Sequence, residues 1–488
     1  MKSYKSVGIV IIVFIGLSLY YDMPYWLTQR PTSVHVWRQS DCASYALNYY
    51  QNERTFFSPQ VHHRHAIDGS TCSEFPVIYY MASGLYKIFG FHDYYIRWIG
   101  YLMFFAALVC LTLTARFFIV NWILQAFPAV LLMLSCVLVY YSGNFLPDAP
   151  ALGMAVIGFY FFVRHYFDGK DRFVWLAVTF FSLAGLLKIS SSIFFVVMIA
   201  YMLYNTFILK SSKYNKAHGF AAFSGLIVLF SWLLFVRFYN EMGQYFGNLQ
   251  GTMGIWTIDK NNILYIIQRT FQEWMPALVS MKIWIFLIPV ILYIAYYWKQ
   301  THELLRFFLL LTTGACLVYL FSFFAVFNVH DYYFINMISL PVIISLAFFQ
   351  VVEKSLKPTF LRVFIGLSLL LFAMCAEDAK AQFEFRKTDP GWNSIPPKGF
   401  YSIEPYLRKL GINRNELVYS PSDPTTNVTL YLMNNPGWTR LFGVDVKQAI
   451  ERGAKFMVIE KSLFDTDEFA PYKNNVIGEH EGLLVITF

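Results

Sequence analysis

Charge is scarce in this 488-residue chain: Asp, Glu, Lys and Arg make up 14% of it, against 57% hydrophobic and 20% aromatic residues. A water-soluble domain of that balance would aggregate, so a soluble fold is excluded and a lipid bilayer becomes the expected solvent. No basic patch stands out behind the formal net charge of +8, which removes nucleic acid from the expected partners. A Gly-rich loop of the kind that cradles phosphates is missing, so no nucleotide site of the usual type is expected. Internal repeats and low-complexity tracts are absent as well. The six cysteines are scattered, and no spacing of Cys and His has the form of a zinc site.

What the chain has instead is apolar runs long enough to cross a bilayer, which takes roughly 20 residues in a helix. Eleven can be read, at 7–24, 96–115, 123–141, 149–166, 173–189, 191–208, 218–238, 277–297, 305–326, 333–352 and 360–377. Lys2 and Lys5 precede the first, which places the amino terminus in the cytoplasm by the positive-inside rule. Arg116, then Arg164, Lys170 and Arg172, then Lys210, Lys213 and Lys216, then Lys299 and Arg306, then Lys354, Lys357 and Arg362 all fall in loops that eleven spans put inside. The short outer loops 142–148 and 327–331 contain no Lys or Arg. An odd number of spans puts 378–488 outside. The stretch "YYDMPYWLTQR" after the first run lacks the small-residue cleavage pattern of a signal peptide, so that run is expected to stay as a helix.

The expected fold is therefore a multi-pass α-helical membrane protein of about eleven transmembrane helices with a C-terminal extracytoplasmic α/β domain. The membrane part is 1–377, including outer loops 25–95 and 239–276, and the α/β part is 378–488. In the first loop, "SDCASYALNYYQNE" and "FPVIYYMASGLYKIFG" have aromatic helical faces suited to the bilayer surface. The 239–276 loop is Gly-rich and then helical. In the tail, "ELVYS" and "KFMVIE" read as strands, "VDVKQAIERG" as an amphipathic helix closed by Gly453, and "NNVIGEHEGLLVITF" as a hairpin. Cys110, Cys136, Cys316 and Cys375 lie in or beside spans and suit packing. Cys42 and Cys72 share the first outer loop, where a disulfide is permitted but its geometry is not established by position alone.

Ionisable groups at membrane depth are costly unless paired or used, so those near the outer face carry the information. Asp41 lies beside Trp37, Tyr45 and Tyr49, which suit an interfacial helix; a solvated loop acid is the plainer account of it. Glu74 precedes Pro76, a residue suited to the first turn of a helix. Asp148 opens the fourth span, where a carboxylate complementing the helix dipole competes with a functional role. Lys188 interrupts two apolar runs on the outside, and "NVHDYYFINMISLP" adds His330, Asp331, Tyr332 and Tyr333; an aromatic belt is the ordinary explanation of the tyrosines and a simple interfacial residue that of His330. All of them nevertheless converge on one face under the expected topology. A lipid carrier bearing a sugar through phosphate has its anomeric carbon at that surface. An enzyme using it needs a carboxylate as general base and a cation to stabilise the departing phosphate.

The order of "VWRQSDCASYALNYY", "SEFPVIYYMASGLYKIFG", "NFLPDAPALGMAVIGFYFF", "AGLLKISS" and "HDYYFINMISLP" over about 1–350 resembles the protein O-mannosyltransferase and aminoarabinose transferase superfamily of GT-C membrane glycosyltransferases. The resemblance implies a polyprenyl-phosphate sugar donor and inverting transfer to a hydroxyl of a protein, lipid or glycan at the outer face of a bacterial inner membrane. Asp41 matches the acid of the first outer loop that this family uses in catalysis. The chain departs from the pattern at Cys42, where many relatives have a second acid, and at Phe75, where aminoarabinose transferases tend to have a basic residue; the latter argues against aminoarabinose. The expected roles are Asp41 as base, Glu74 and Asp148 positioning sugar or acceptor, and Lys188 with Arg38, His330, Tyr332 and Tyr333 on the donor phosphate. No cofactor is required, although a divalent metal is compatible with His62, His63 and His65 sharing a loop with carboxylates. The tail segment "SPSDPTTNVTLYLMNNPGWTR" has no assigned chemistry, and its "NVT" at 427–429 is a formal glycosylation sequon.

Two other classes compete. A transporter or flippase for lipid-linked sugars would line a path through the bilayer and commonly show repeated spans; neither is visible. An oligosaccharide ligase or polymerase would use a diphosphate-linked glycan, and the large first loop with Asp41 argues modestly against it.

Overall fold

Lipid offers a backbone no hydrogen-bond partner, so apolar runs close their bonds internally as helices. In the computed structural model, which describes residues 4–245, 253–388 and 396–488, every one of the eleven runs is helical in whole or in part. Lys2 and the Gly-rich part of 239–276, at 246–252, lie outside the described residues. Among the described residues six helices are long and apolar enough to cross a membrane: Tyr94–Ala115, Ile189–Ile208, Lys216–Met242, Glu303–Ser322, Asp331–Ser355 and Pro358–Thr388. A seventh arises if Lys260–Leu278 and Met281–Tyr296, bent by 96° at their break, count as one span. Lys5–Tyr20 and Arg172–Leu187 are apolar but shorter. The chain is an integral membrane protein.

The run at 123–141 is broken and is not one continuous helix. It forms two seven-residue helices, Phe127–Met133 and Cys136–Ser142. The physical reason is local: Pro128 suits a helix start, and the Ser135 hydroxyl accepts from the Leu138 N–H at 3.3 Å to cap a second one.

The residues cluster into two compact units. The first comprises Met1–Thr28, Arg97–Leu233 and Gln250–Phe385 and holds most of the apolar helix. Its interior contains a fully buried Arg97, which donates to the Gly143 carbonyl at 2.7 Å and lies 4.5 Å from the Trp26 ring and 4.6 Å from the Phe145 ring. Aromatic faces on both sides offset part of the desolvation of the guanidinium.

The second unit comprises Gln29–Ile96, Leu234–Leu249 and Arg386–Phe488. The first outer loop thus groups with the tail, whereas the sequence division kept it with the membrane part. Its sheet has strands β1 (Val418–Ser420), β2 (Gly437–Thr439), β3 (Phe456–Glu460), β4 (Val476–His480) and β5 (Leu483–Thr487) in the order β2-β1-β3-β5-β4. The β1 strand pairs in parallel with β2 and β3, while β5 runs antiparallel to β3 and β4. Tyr419, Trp438, Met457, Ile459, Leu484 and Ile486 fill the core with Phe464 and Phe469 from the connecting turns. The expected strands, helix and hairpin are all present. Asp445 and Gln448 form a capping box on the Val446–Glu451 helix. The hairpin turn uses Glu481 and Gly482, both at positive φ, as a two-residue connection requires.

One strand was not expected. Pro436 precedes β2, and Gly437 is pressed so closely on β1 that a Cβ there would lie 1.7 Å from the Val418 carbonyl oxygen. The free edge of β2 is covered by the loop at 62–64: Gly437 N–H donates to the His62 carbonyl at 3.1 Å, and Arg64 N–H to the Gly437 carbonyl at 2.7 Å. An edge strand is thereby closed without a further strand.

Candidate functional site

In the second unit the helix Val36–Gln51 begins after His35, whose φ of 59° turns the chain sharply. Arg38, Asp41 and Cys42 follow at spacings of three and four, which puts all three on one face. The next helix, Val77–Phe89, starts from Pro76, so Glu74 lies just ahead of its amino end, as its position in the sequence suggested.

Glu74 is fully committed. Its Oε2 accepts from Arg38 and from the Ser73 hydroxyl, and its Oε1 accepts from the Tyr79 hydroxyl at 2.5 Å. Arg38 also donates to Ser73 Oγ at 2.9 Å. Burial alone would lower the affinity of the Arg38 guanidinium for its proton, but the Glu74 carboxylate outweighs it and holds that charge well above the ordinary range. Cys42 Sγ lies 3.6 Å from Glu74 Oε1 and 3.0 Å from the Tyr79 hydroxyl. Cys42 and Cys72 are both buried and are not joined, so the disulfide that their shared loop permits is not formed.

Asp41 is treated differently by its surroundings. Its Oδ1 is buried without a hydrogen-bond partner. Burial pushes its carboxyl up to about 7; Arg38 and an Asn427 hydrogen bond oppose the rise, and Glu74 adds to it. A carboxyl poised there exchanges protons near neutral pH, the property a general base needs.

The tail segment with no assigned chemistry turns out to hold this helix. The Asp423 carboxylate accepts from the Thr425 N–H and hydroxyl, each at 2.7 Å, and from the Thr429 N–H and hydroxyl at 2.7 and 2.8 Å. That saturated turn sets Thr426 to accept from the Trp37 indole N–H at 2.8 Å. Asn427 donates to the Ser40 carbonyl at 3.4 Å and accepts from the His63 N–H at 3.1 Å. Asn427 is completely buried, so the sequon presents no accessible amide.

Of the loop histidines, His62 is held by hydrogen-bonding neighbours at both ring nitrogens. His62 Nδ1 is 2.6 Å from Ser44 Oγ and its Nε2 is 3.3 Å from Asn434 Oδ1. Burial drives His62 down to about 3 and His65 to about 4, and lowers His63 as well. Among the described residues, the one group of His, Cys, Asp or Glu able to converge on an ion is His165, Asp171 and His218, in the other unit.

In the first unit a second polar cluster forms. Asp148 is the first residue of the Asp148–Asp168 helix, and it is also ion-paired with Lys188 Nζ at 3.1 Å. Asp148 thus opens its helix and pairs with a cation at the same time. Lys188 ends the Arg172–Leu187 helix in extended backbone, before the 3-10 turn Ile189–Ser192. Its ammonium lies 4.5 Å from the Tyr333 ring and 5.3 Å from the Tyr332 ring. His330 packs on the same two rings, with centroids 5.2 and 6.0 Å away. The Tyr141 hydroxyl, which the sequence did not single out, donates to Asp331 Oδ1 at 2.6 Å. Asp148, Lys188, His330, Tyr332 and Tyr333 thus come together within this unit, and Arg38, Asp41 and Glu74 within the other.

Residues 73–235 match the family model described as dolichyl-phosphate-mannose-protein mannosyltransferase, a stretch that includes Glu74, Asp148 and Lys188. None of the curated proteins matches the chain by sequence. Solved structures match over nearly its whole length. ArnT from Cupriavidus metallidurans, in the apo state and bound to undecaprenyl phosphate, gives a TM-score of 0.62 at 12% identity, with 98% of this chain and 97% of that one covered. The oligosaccharyltransferase of Archaeoglobus fulgidus in the apo form gives a TM-score of 0.62 at 13% identity, covering 95% of this chain and 70% of that one. The chain has the fold of the GT-C membrane glycosyltransferases, and the resemblance seen in its motifs is borne out in that fold and at residues 73–235.

Proposed function

We propose that this chain is an inverting glycosyltransferase that moves a sugar from a polyprenyl-phosphate donor to an acceptor hydroxyl on the outer face of a bacterial inner membrane. The observation that carries the reading is the end-to-end likeness to ArnT, a protein solved with undecaprenyl phosphate bound. The oligosaccharyltransferase likeness leaves about a third of that longer chain unmatched, which favours the monosaccharide reading over transfer of a larger glycan. We take the eleven helical runs as eleven spans, with the amino terminus inside and the tail outside, because the basic loops alternate with that count.

Chemically, the acceptor oxygen attacks the anomeric carbon from the face opposite the phosphate, and Asp41 takes the hydroxyl proton. The bond from that carbon to the phosphate oxygen breaks, and Lys188 offsets the negative charge that develops on the leaving phosphate. His330, Tyr332 and Tyr333 support Lys188. Glu74, locked by Arg38, Ser73 and Tyr79, acts by position rather than by proton transfer, and Arg38 is more fully engaged with Glu74 than a dedicated phosphate ligand would be.

The test is transfer of radiolabelled sugar from a panel of polyprenyl-phosphate monosaccharides to membrane extracts, with purified wild type beside Asp41→Asn. Label moving with wild type alone is the expected result. No transfer from any donor, together with lipid-linked sugar crossing liposome membranes, would make the protein a transporter.

A further inference from the structure

A tight turn joins two long helices of the first unit and meets the head of a third. The Asp148–Asp168 helix stops at Gly169, whose φ of 66° reverses the chain, and Asp171 then stands at the start of the Arg172–Leu187 helix. His165 therefore lies in the last turn of one helix and Asp171 at the head of the next. His218 comes from the first turn of the Lys216–Met242 helix, where Asn215 Oδ1 accepts from its backbone N–H at 3.1 Å.

These side chains converge. One candidate donor atom from each lies within 4.8 Å of the others. His218 Nε2 is 3.0 Å from Asp171 Oδ1, and the two imidazole centroids are 4.9 Å apart. His165 is 2% exposed and His218 1%, whereas the Asp171 side chain is 63% exposed and opens the group to water.

The state of His165 is the telling feature. Its Nδ1 lies 3.2 Å from the Lys170 carbonyl oxygen, and a carbonyl only accepts, so Nδ1 carries the proton and Nε2 holds a bare lone pair. That Nε2 is buried with no hydrogen-bond partner. A second imidazole and a carboxylate stand beside it. A carbonyl bonded to the far nitrogen of a histidine is the arrangement that orients metal-ligating imidazoles.

We propose that His165, His218 and Asp171 bind one divalent transition-metal ion of the zinc type, pinning the Gly169 turn to the Lys216–Met242 helix. Two imidazoles and a carboxylate suit zinc and leave a fourth position for water. Ligand atoms of a tetrahedral zinc stand about 3.3 Å apart, so side-chain rotation of roughly an ångström closes the set. On binding, the His218 ring proton moves from Nε2 to Nδ1, which gives up the 3.3 Å contact from the Asn215 N–H.

The experiment uses full-length protein purified through a tag without histidine, stripped with chelator and reloaded with Zn²⁺ alone. Elemental analysis should find one more equivalent per chain in wild type than in Asp171→Asn or His165→Gln. Asp171→Asn alters an exposed side chain, so its fold is not at risk. Co²⁺ loading should give tetrahedral visible absorption in wild type and at least a tenfold weaker affinity in Asp171→Asn. Equal metal content in wild type and both variants, or no metal retained by wild type, would overturn the assignment.

Discussion

Replacing Asp41 with asparagine separates the proposed catalytic use of this residue from its cost to the fold. Burial raises the Asp41 carboxyl from an ordinary 3.8 to about 7. A raised acid is favoured in its protonated form by the fold, so the folded protein binds this proton more tightly than the unfolded chain. Stability from this group is thus fully present below about 4 and is lost as pH rises through about 7. The difference between those values corresponds to about 4 kcal/mol, an upper bound because Asn has no charge to pair with Arg38. Asn keeps the shape, removes the buried charge and retains a hydrogen-bonding amide toward Asn427. Asp41→Asn should therefore match wild type in thermal stability near pH 4 and exceed it by roughly 2 to 4 kcal/mol at pH 8, while transfer activity is lost. Wild-type activity should rise with pH to a plateau with a midpoint near 7. Differential scanning of detergent-purified protein from pH 4 to 9, paired with sugar transfer at each pH, reads both quantities. A stability difference that does not grow over that window, or a variant less stable than wild type at pH 8, would refute the account of Asp41 as a buried, poised carboxyl.

Glu74→Gln leaves the partly buried Arg38 without its carboxylate and should destabilise the protein by about 3 kcal/mol, seen as a lower unfolding temperature, with activity falling alongside folded protein. Lys188→Met removes the ammonium that pairs with the buried Asp148 carboxylate and is proposed for the leaving phosphate. It should lower kcat/KM for the donor by about a hundredfold, whereas Lys188→Arg should recover most of it; equal activity in Lys188→Met would release Lys188 from the mechanism. Gly437→Ala places a methyl group against the Val418 carbonyl at a distance no packing can relieve, so the tail should become protease-sensitive in limited proteolysis while the apolar helices still insert.

How far these residues could be read in advance depended on the kind of signal. Asp41, Glu74, Asp148, Lys188 and His330 stood out because each is polar at the edge of an apolar run, which a linear pattern displays. The tail strands, the capped Val446–Glu451 helix and the closing hairpin were equally plain, since alternation, capping and turn chemistry are local. The break at Ser135 was not, because Pro128 and Ser135 are single residues in an otherwise apolar run and only their helix-start and capping geometry divides it. Arg97 passed unnoticed at the start of a span. His165, Asp171 and His218 were invisible as a set, because the last lies 47 residues beyond the second and no motif spans that gap.

By itself the sequence determined that this is a membrane protein of many helices with a polar α/β tail, because the hydrophobicity and hydrogen-bond needs of each segment are satisfied within that segment. Tertiary structure alone decided which charges meet. It tied Glu74 to Arg38, paired Asp148 with Lys188 and left Asp41 poised near neutrality. It also turned the Asp423 to Asn427 segment into a brace for the helix that carries Asp41. The physical reason is that ion pairing and desolvation depend on distance and burial in three dimensions. Two carboxylates with the same composition around them in the chain can end with opposite electrostatic fates once folding chooses their neighbours.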